Sequence, residues 1–272
     1  MQNLFRVKNA RSKKVIQNIL ASFFIKGWSG VMQLLLVPLT LACLSNYEYG
    51  VWMTISTMLV WIESMDIGLG NGMRNMLATY RAEGYDEKAK QVVSTCFYSL
   101  ALFMLFVGII LYVIEHYINF YAFLNVDANV VNNLSLVIQL STIIVCATFV
   151  FKFIGNVYLA LQLPAINNLL LVFGNTLSFV GIFVAKMLFD EVSLIAIAII
   201  STLGPLLVFI ISYPITFIKK YPELRPSIKC FKRDMLGDIF VLGLKFFVLQ
   251  MASLVLFSTS NIIISRYIGP SS

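Results

Sequence analysis

Long runs of apolar residues are the feature that most limits how this chain can fold. About seven such windows follow one another along the 272 residues, and each is near the twenty residues that a helix needs to cross a bilayer. Backbone groups in lipid must hydrogen-bond within their own segment, so each window is predicted to be a transmembrane helix. The windows are Ile19–Leu44, Tyr49–Leu69, Val92–Tyr117, Val131–Tyr158, Pro164–Phe189, Val192–Ile218 and Ile239–Tyr267. The sequence therefore predicts an all-α, polytopic membrane helix bundle.

Composition excludes the main classes of soluble protein. Hydrophobic residues make up 59% of the chain and charged residues only 12%, whereas a globular domain is about one-quarter charged. The joints between windows are short and polar, which leaves no room for a soluble domain. These numbers exclude a cytoplasmic enzyme, a secreted disulfide scaffold and a disordered chain.

The positions of lysine and arginine predict the orientation in the membrane. Fifteen of the twenty basic residues lie before the first window, between the second and third, or between the sixth and seventh, so these segments and the N-terminus are predicted to be cytoplasmic. The net charge of +7 follows from this topology, and no nucleic-acid partner is predicted. Acidic residues dominate the opposite joints: Glu48, Glu115, Asp127, Asp190 and Glu191.

No enzymatic or metal-binding pattern is present in the sequence. It lacks the Gly-x-x-x-x-Gly-Lys-Ser/Thr loop that holds nucleotide phosphates and the His-Glu-x-x-His pair of zinc hydrolases. His116 is the single histidine, and the four cysteines show no Cys-x-x-Cys spacing. We therefore expect no enzyme activity, cofactor or metal, and energy for any transport would come from ion or substrate gradients.

Charged residues inside the windows are informative because each is costly in lipid unless it is paired or faces water. Lys26 lies in the first window, and Glu63 and Asp66 lie in the second. The two carboxylates are three residues apart and share one helix face. The first two helices are expected to be antiparallel neighbours, because only a very short turn joins them. Lys26 is then expected to meet this pair, either as a structural ion pair or as part of a charged cavity wall that exchanges protons.

Glycines mark two candidate hinges. Gly68, Gly70 and Gly72 alternate at the end of the second window, where they allow a sharp turn or close packing against a neighbouring helix. The sixth window contains Gly204-Pro205 near its middle. A kink is predicted there, because proline removes one hydrogen bond of the helix and clashes with the preceding turn.

Several motifs resemble those of the polysaccharide (O-antigen and capsule) flippases in the multidrug/oligosaccharidyl-lipid/polysaccharide exporter superfamily. Residues Leu44–Gly50 resemble the outer turn Leu-Gly-x-x-x-Tyr-Gly, with Ser45 in place of the usual glycine. Residues Asp66–Gly72 resemble the Asp-x-Gly-Leu-Gly-x-Gly stretch of that branch. Two shorter features also resemble that branch. One is a glycine followed by acidic residues over Gly84–Lys90, and the other is Ala-Leu-Gln at the end of the fourth helix, beginning at Ala160.

This resemblance implies two six-helix bundles related by a pseudo-twofold axis. Residues 1–218 would form the N-terminal membrane lobe, residues 219–238 a basic cytoplasmic linker, and residues 239–272 the first helix of a truncated second lobe. Phe246-Phe247 aligns with Phe23-Phe24 and supports this division, although chance similarity of two apolar helices is the alternative.

The resemblance also implies a function, namely flipping of a polyprenyl-diphosphate-linked oligosaccharide across the bacterial cytoplasmic (inner) membrane by alternating access. Lys26, Arg74 and Lys152 are then candidates for contact with diphosphate or sugar, although Arg74 and Lys152 are equally well explained as positive-inside anchors. Glu63 and Asp66 are candidates for coupling or gating. The implied partners are the lipid-linked oligosaccharide, the bilayer and other membrane proteins of glycan assembly.

Three alternatives stay open at this point. A drug/cation antiporter of the same superfamily shares the fold but usually has an acidic residue inside its first or seventh helix. A flippase for peptidoglycan lipid precursors differs mainly in the sugar that it accepts. A non-transporting membrane scaffold, or an inactive fragment, is the alternative of a different class, and the reading frame beyond Ser272 would distinguish it from a transporter.

Overall fold

A computed structural model of the protein describes residues 2–63, 68–189, 191–245, 248 and 252, and the side chains of residues 2–20, 61 and 63 lie outside that description. The described residues are mostly helical, and no strand occurs among them. The predicted all-α class is confirmed.

Within the described residues, eight helices with defined ends follow one another. They are α1 (Gln2–Leu41), α2 (Asn46–Glu63), α3 (Leu69–Glu83), α4 (Asp86–Tyr117), α5 (Phe120–Phe123), α6 (Leu134–Ala160), α7 (Pro164–Leu188) and α8 (Leu194–Pro214). A π-helical turn, Ile215–Lys220, continues α8, and two 3₁₀ turns follow at Pro222–Leu224 and Ile228–Cys230. Residues 233–245 are again helical and are called α9 here.

Five described helical segments are long and apolar enough to span a membrane. They are Ala21–Leu41, Asp86–Tyr117, Leu134–Ala160, Pro164–Leu188 and Leu194–Lys220. They correspond to the first, third, fourth, fifth and sixth predicted windows, which makes the chain a multi-pass membrane protein. The second window forms the 18-residue helix α2, and most of the seventh lies outside the described residues.

The polar segment between the second and third windows is helical, which differs from the predicted joint. Residues 69–83 form α3, and α4 begins at Asp86, well before Val92. Leu69, Met73 and Leu77 recur every four residues and are 5%, 0% and 0% exposed, so one face of α3 is apolar and buried. Helix α3 ends at Gly84, whose φ is +78°, and only Gly84 and Tyr85 separate α3 from α4.

Helix α6 lies at the centre of the bundle, in contact with α2, α3, α4, α7 and α8. By contrast, α1 packs mainly along α7, where the Trp28 indole nitrogen donates a hydrogen bond to the Thr176 hydroxyl at 3.3 Å. Within the described residues α1 touches α2 only slightly. The expectation that the first two helices pack along each other, based on the short turn between them, is therefore not met in this part of the chain.

Helix α8 continues through Pro205 because α7 supplies a replacement hydrogen bond. Proline cannot donate to the carbonyl four residues earlier, which belongs to Ser201. The Ser178 hydroxyl of α7 donates to that carbonyl oxygen at 3.0 Å. Gly174 allows this approach, since a Cβ there would lie 2.8 Å from the Pro205 Cα. The predicted kink at Gly204-Pro205 stays a prediction, but the close contact of this site with α7 is clear.

Candidate functional site

The glycine-rich stretch forms a sharp turn into α3. Gly68 has a φ of +79°, a left-handed conformation that side chains other than glycine rarely adopt. Its carbonyl oxygen accepts a hydrogen bond from the Gly72 amide at 2.8 Å, which starts the helix. The sequence-based expectation of a turn here is confirmed.

The same glycines lie directly against α9. A Cβ on Gly68 would overlap the backbone carbonyl of Gly243, and a Cβ on Gly72 would overlap the carbonyl oxygen of Ile239. Because these atoms belong to the backbone, no rotation of a side chain can relieve the overlap. The expected close packing is therefore confirmed as well, and its partner is α9, which begins within the predicted basic linker.

The segment predicted to be a basic linker, residues 219–238, is packed against the helical bundle, and its residues from 233 onward already belong to α9. Leu224 has no exposed surface. The backbone amides of Ser227 and Lys232 donate hydrogen bonds to the hydroxyls of Ser94 and Thr95 of α4, at 3.1 and 2.9 Å. These bonds fix the segment to α4 at two points, directly before α9 begins.

A second set of contacts joins the linker to the α3–α4 turn. Arg81, near the end of α3, forms ion pairs with Asp86 of α4 at 2.6 Å and with Glu223 of the linker at 3.3 Å. Burial raises the pKa of the nearby Tyr221 above its ordinary range, and the fields of Tyr158 and Glu223 act in the same direction against a weaker effect of Arg81. Tyr221 is therefore neutral at physiological pH.

Two of the three candidate substrate-path cations lie on neighbouring helices. Arg74 is on α3 and Lys152 is on α6, both are half-buried, and the two helices pack against each other. Lys26 is exposed on α1, whose main contacts are with α7. The described contacts thus bring together the helices of Arg74 and Lys152 and leave Lys26 on a separate helix.

The two candidate coupling carboxylates cannot be placed in the same way. Glu63 is the last residue of α2, with its side chain outside the described residues, and Asp66 lies in the undescribed segment 64–67. Their pairing with Lys26 stays a prediction.

Glu115 is a buried acidic residue whose importance the sequence analysis missed. It was grouped with the charges of the outer joints, but it lies in the last turn of α4 and is only 8% exposed. The Thr142 hydroxyl of α6 donates a hydrogen bond to its Oε1 at 2.8 Å. A signal was present, because Met104, Gly108, Leu111 and Glu115 follow the three- and four-residue spacing of one helix face.

Comparison with known proteins identifies the type of fold. No protein-family model and no curated protein matches the sequence. A crystal structure of a MATE mutant has a TM-score of 0.69 at 16% identity, covering 93% of this chain and 57% of that one. The chain has a MATE-like fold.

A second solved structure agrees. It is the outward-facing conformation of a multidrug resistance MATE family transporter of the MOP superfamily, with a TM-score of 0.67 at 13% identity. The match covers 94% of this chain and 56% of that protein. The chain thus spans little more than half the length of either MATE structure.

Proposed function

We propose that the protein is a membrane transporter of the MOP superfamily that moves a polyprenyl-diphosphate-linked oligosaccharide across the bacterial cytoplasmic membrane by alternating access. The MATE-like fold supports the general class of transporter, since the solved structures that share it are transporters. The motifs at residues 44–50 and 66–72 and the placement of the cations support the class of substrate.

The observation that carries the substrate proposal is the pair of half-buried cations on α3 and α6, Arg74 and Lys152. A diphosphate carries at least two negative charges through a hydrocarbon layer about 30 Å thick, which is prohibitive without compensation. Arginine suits phosphate because its planar guanidinium donates two parallel hydrogen bonds. We propose that Arg74 and Lys152 contact the diphosphate or the first sugars, with Lys26 contributing from α1.

The arrangement of the basic linker supports the proposed domain organisation. Residues 1–218 would be one lobe, 219–238 the linker, and 239–272 the first helix of a second lobe. In this arrangement the Gly68–Gly243 contact joins the first lobe to that helix, and Gly68, Gly70, Gly72, Gly204 and Pro205 are proposed hinge positions. Glu63 and Asp66 would couple or gate the movement.

A drug/cation antiporter is the second candidate, and two observations favour it. One of the solved structures with this fold is a multidrug resistance transporter. The buried Glu115 is also the type of group that binds a proton or a cation in exchange for a drug.

Complementation separates the two candidates. The complete gene product is expressed in bacteria that lack their own polysaccharide flippase and, separately, in bacteria that lack their drug exporters. We expect surface polysaccharide to return in the first strain and drug sensitivity to persist in the second. Restored drug resistance without surface polysaccharide, in cells with equal amounts of membrane-inserted protein, would reject the flippase proposal in favour of the antiporter.

A further inference from the structure

Glu115 is buried without full hydrogen bonding. Its Oε1 accepts the Thr142 hydroxyl at 2.8 Å, but its Oε2 has no hydrogen-bond partner among the described residues. Ser141, which precedes Thr142 in the sequence of α6, also has a buried hydroxyl without a partner among the described residues. Buried polar atoms are nearly always hydrogen-bonded, so an exception calls for an explanation.

Glu48, a carboxylate on the same predicted side, has different surroundings. Its Oε2 accepts hydrogen bonds from the Ser45 amide at 3.0 Å and from the Ser45 hydroxyl at 2.8 Å. Glu48 also forms no ion pair within the described residues, but it lies at a solvent-facing helix start. Glu115, by contrast, is enclosed between α4 and α6.

No cation compensates the charge of Glu115 in the described structure. The ion pairs there involve Arg81 with Asp86 and Glu223, at the other end of the bundle. The titratable group of α6 that interacts electrostatically with Glu115 is the neutral thiol Cys146. On α4 itself, Tyr112 and His116 are neighbours in sequence, and both are exposed. An ionised carboxylate in such surroundings costs several kcal/mol.

We propose that Glu115 is a proton-binding site, with Thr142 as the group that positions it. A proton from water at the outer surface adds to Oε2 and converts the carboxylate to a neutral acid, while Oε1 keeps its hydrogen bond from Thr142. The path is short, because Glu115 lies two residues before the end of α4 and Tyr117 is 83% exposed. Loss of the proton restores the negative charge of the Glu115 carboxylate, which lies between α4 and α6.

The geometry favours a proton over a metal cation. A hard metal cation takes about six or more oxygen ligands, whereas the described contacts of this site comprise one carboxylate and the Thr142 hydroxyl. A proton needs only the free oxygen. Coupling of transport to a proton gradient through this site would rest on the proposed transport function. Binding of a proton by Glu115 does not depend on that function.

Infrared spectroscopy of the complete protein in lipid tests the site directly. We expect a carbonyl band of a protonated carboxylic acid that disappears reversibly as the pH is raised and moves on labelling with carbon-13 glutamate. Glu115→Gln keeps the size of the side chain and its ability to accept from Thr142, but removes the titratable group, so this band should be lost. Glu48→Gln is the matched control and should leave the band in place.

Thr142→Val supplies the test of positioning, because it removes the hydroxyl but keeps the shape. The Glu115 band should then shift to higher frequency, since the carbonyl loses its hydrogen bond. A purely structural contact gives a band that does not change with pH, or no band, and either result overturns the proposal. A change that depends on sodium rather than on pH would also overturn it, by identifying a metal-cation site.

Transport is measured separately with the same variants. Loss of pH dependence in Glu115→Gln, with the substrate still flipped, would connect the proton site to coupling. A pH-dependent infrared band in a protein that flips no lipid-linked oligosaccharide would reject the proposed function and leave the proton site standing.

Discussion

Gly68→Ala is expected to destabilise the protein by about 1–3 kcal/mol more than Gly84→Ala, although both glycines have nearly the same backbone conformation. Their φ values are +79° and +78°, so either substitution carries the cost of a side chain in a left-handed conformation, about 1–2 kcal/mol. A Cβ at Gly84 meets no atom within 4 Å, whereas a Cβ at Gly68 overlaps the backbone of Gly243. Forced overlap in a packed interior adds about 1–3 kcal/mol.

Unfolding titrations in one lipid–detergent mixture measure the difference between these variants. A second matched pair lies on α9, where Gly243→Ala meets the Gly68 carbonyl and Gly237→Ala meets open space. We expect Gly243→Ala to be destabilising and Gly237→Ala to be neutral or slightly stabilising, because alanine favours helix by about 1 kcal/mol over glycine. Equal effects within each pair would show that α3 and α9 are not in backbone contact.

Arg74→Gln is expected to reduce the rate at which a polyprenyl-diphosphate-linked oligosaccharide is flipped by about 10- to 100-fold. This factor corresponds to the loss of one charge-assisted hydrogen bond, which contributes about 1.5–3 kcal/mol. Arg74→Lys should recover only part of this rate, because an ammonium cannot form the paired hydrogen bonds of a guanidinium. The rate is measured in proteoliposomes and normalised to the amount of inserted protein.

Arg225→Gln is the control for a general loss of positive charge. Arg225 is an exposed arginine of the basic linker, on the same predicted side of the membrane as Arg74. We expect its substitution to leave the flipping rate near that of the unchanged protein. If Arg74→Gln flips normally, or if both substitutions only lower the amount of inserted protein, Arg74 is a positive-inside anchor without a role in the substrate path.

The sequence predicted those parts of the fold that depend on local pattern. Uninterrupted apolar runs identified α1, α4, α6, α7 and α8, because a membrane-spanning helix needs little beyond length and composition. Helix α3 was missed since its polar face makes it resemble a loop, even though Leu69, Met73 and Leu77 show the spacing of a buried helix face.

Contacts between helices that are far apart in the sequence could not be predicted from local pattern. Gly68 and Gly72 indicated close packing, but nothing in their own stretch identified α9 as the partner, which lies about 170 residues further along the chain. The packing of α1 along α7 was missed for the same reason, because the short turn after α1 suggested that α2 would be its neighbour. Glu115 was missed because its position near the end of a window was taken to mean that it is exposed to solvent, and the helix face that it occupies was not considered.

The most direct test of the proposed function uses the complete gene product in proteoliposomes with two lipid-linked oligosaccharides that differ only at the linkage. One carries a diphosphate and the other an uncharged linkage, and a membrane-impermeant reagent reports when each headgroup reaches the outside. We expect the protein to accelerate the diphosphate lipid well above protein-free vesicles and to move the uncharged lipid far more slowly. Equal rates for both lipids, or transport of a cationic drug with neither lipid moved, would contradict a cationic path built for a diphosphate.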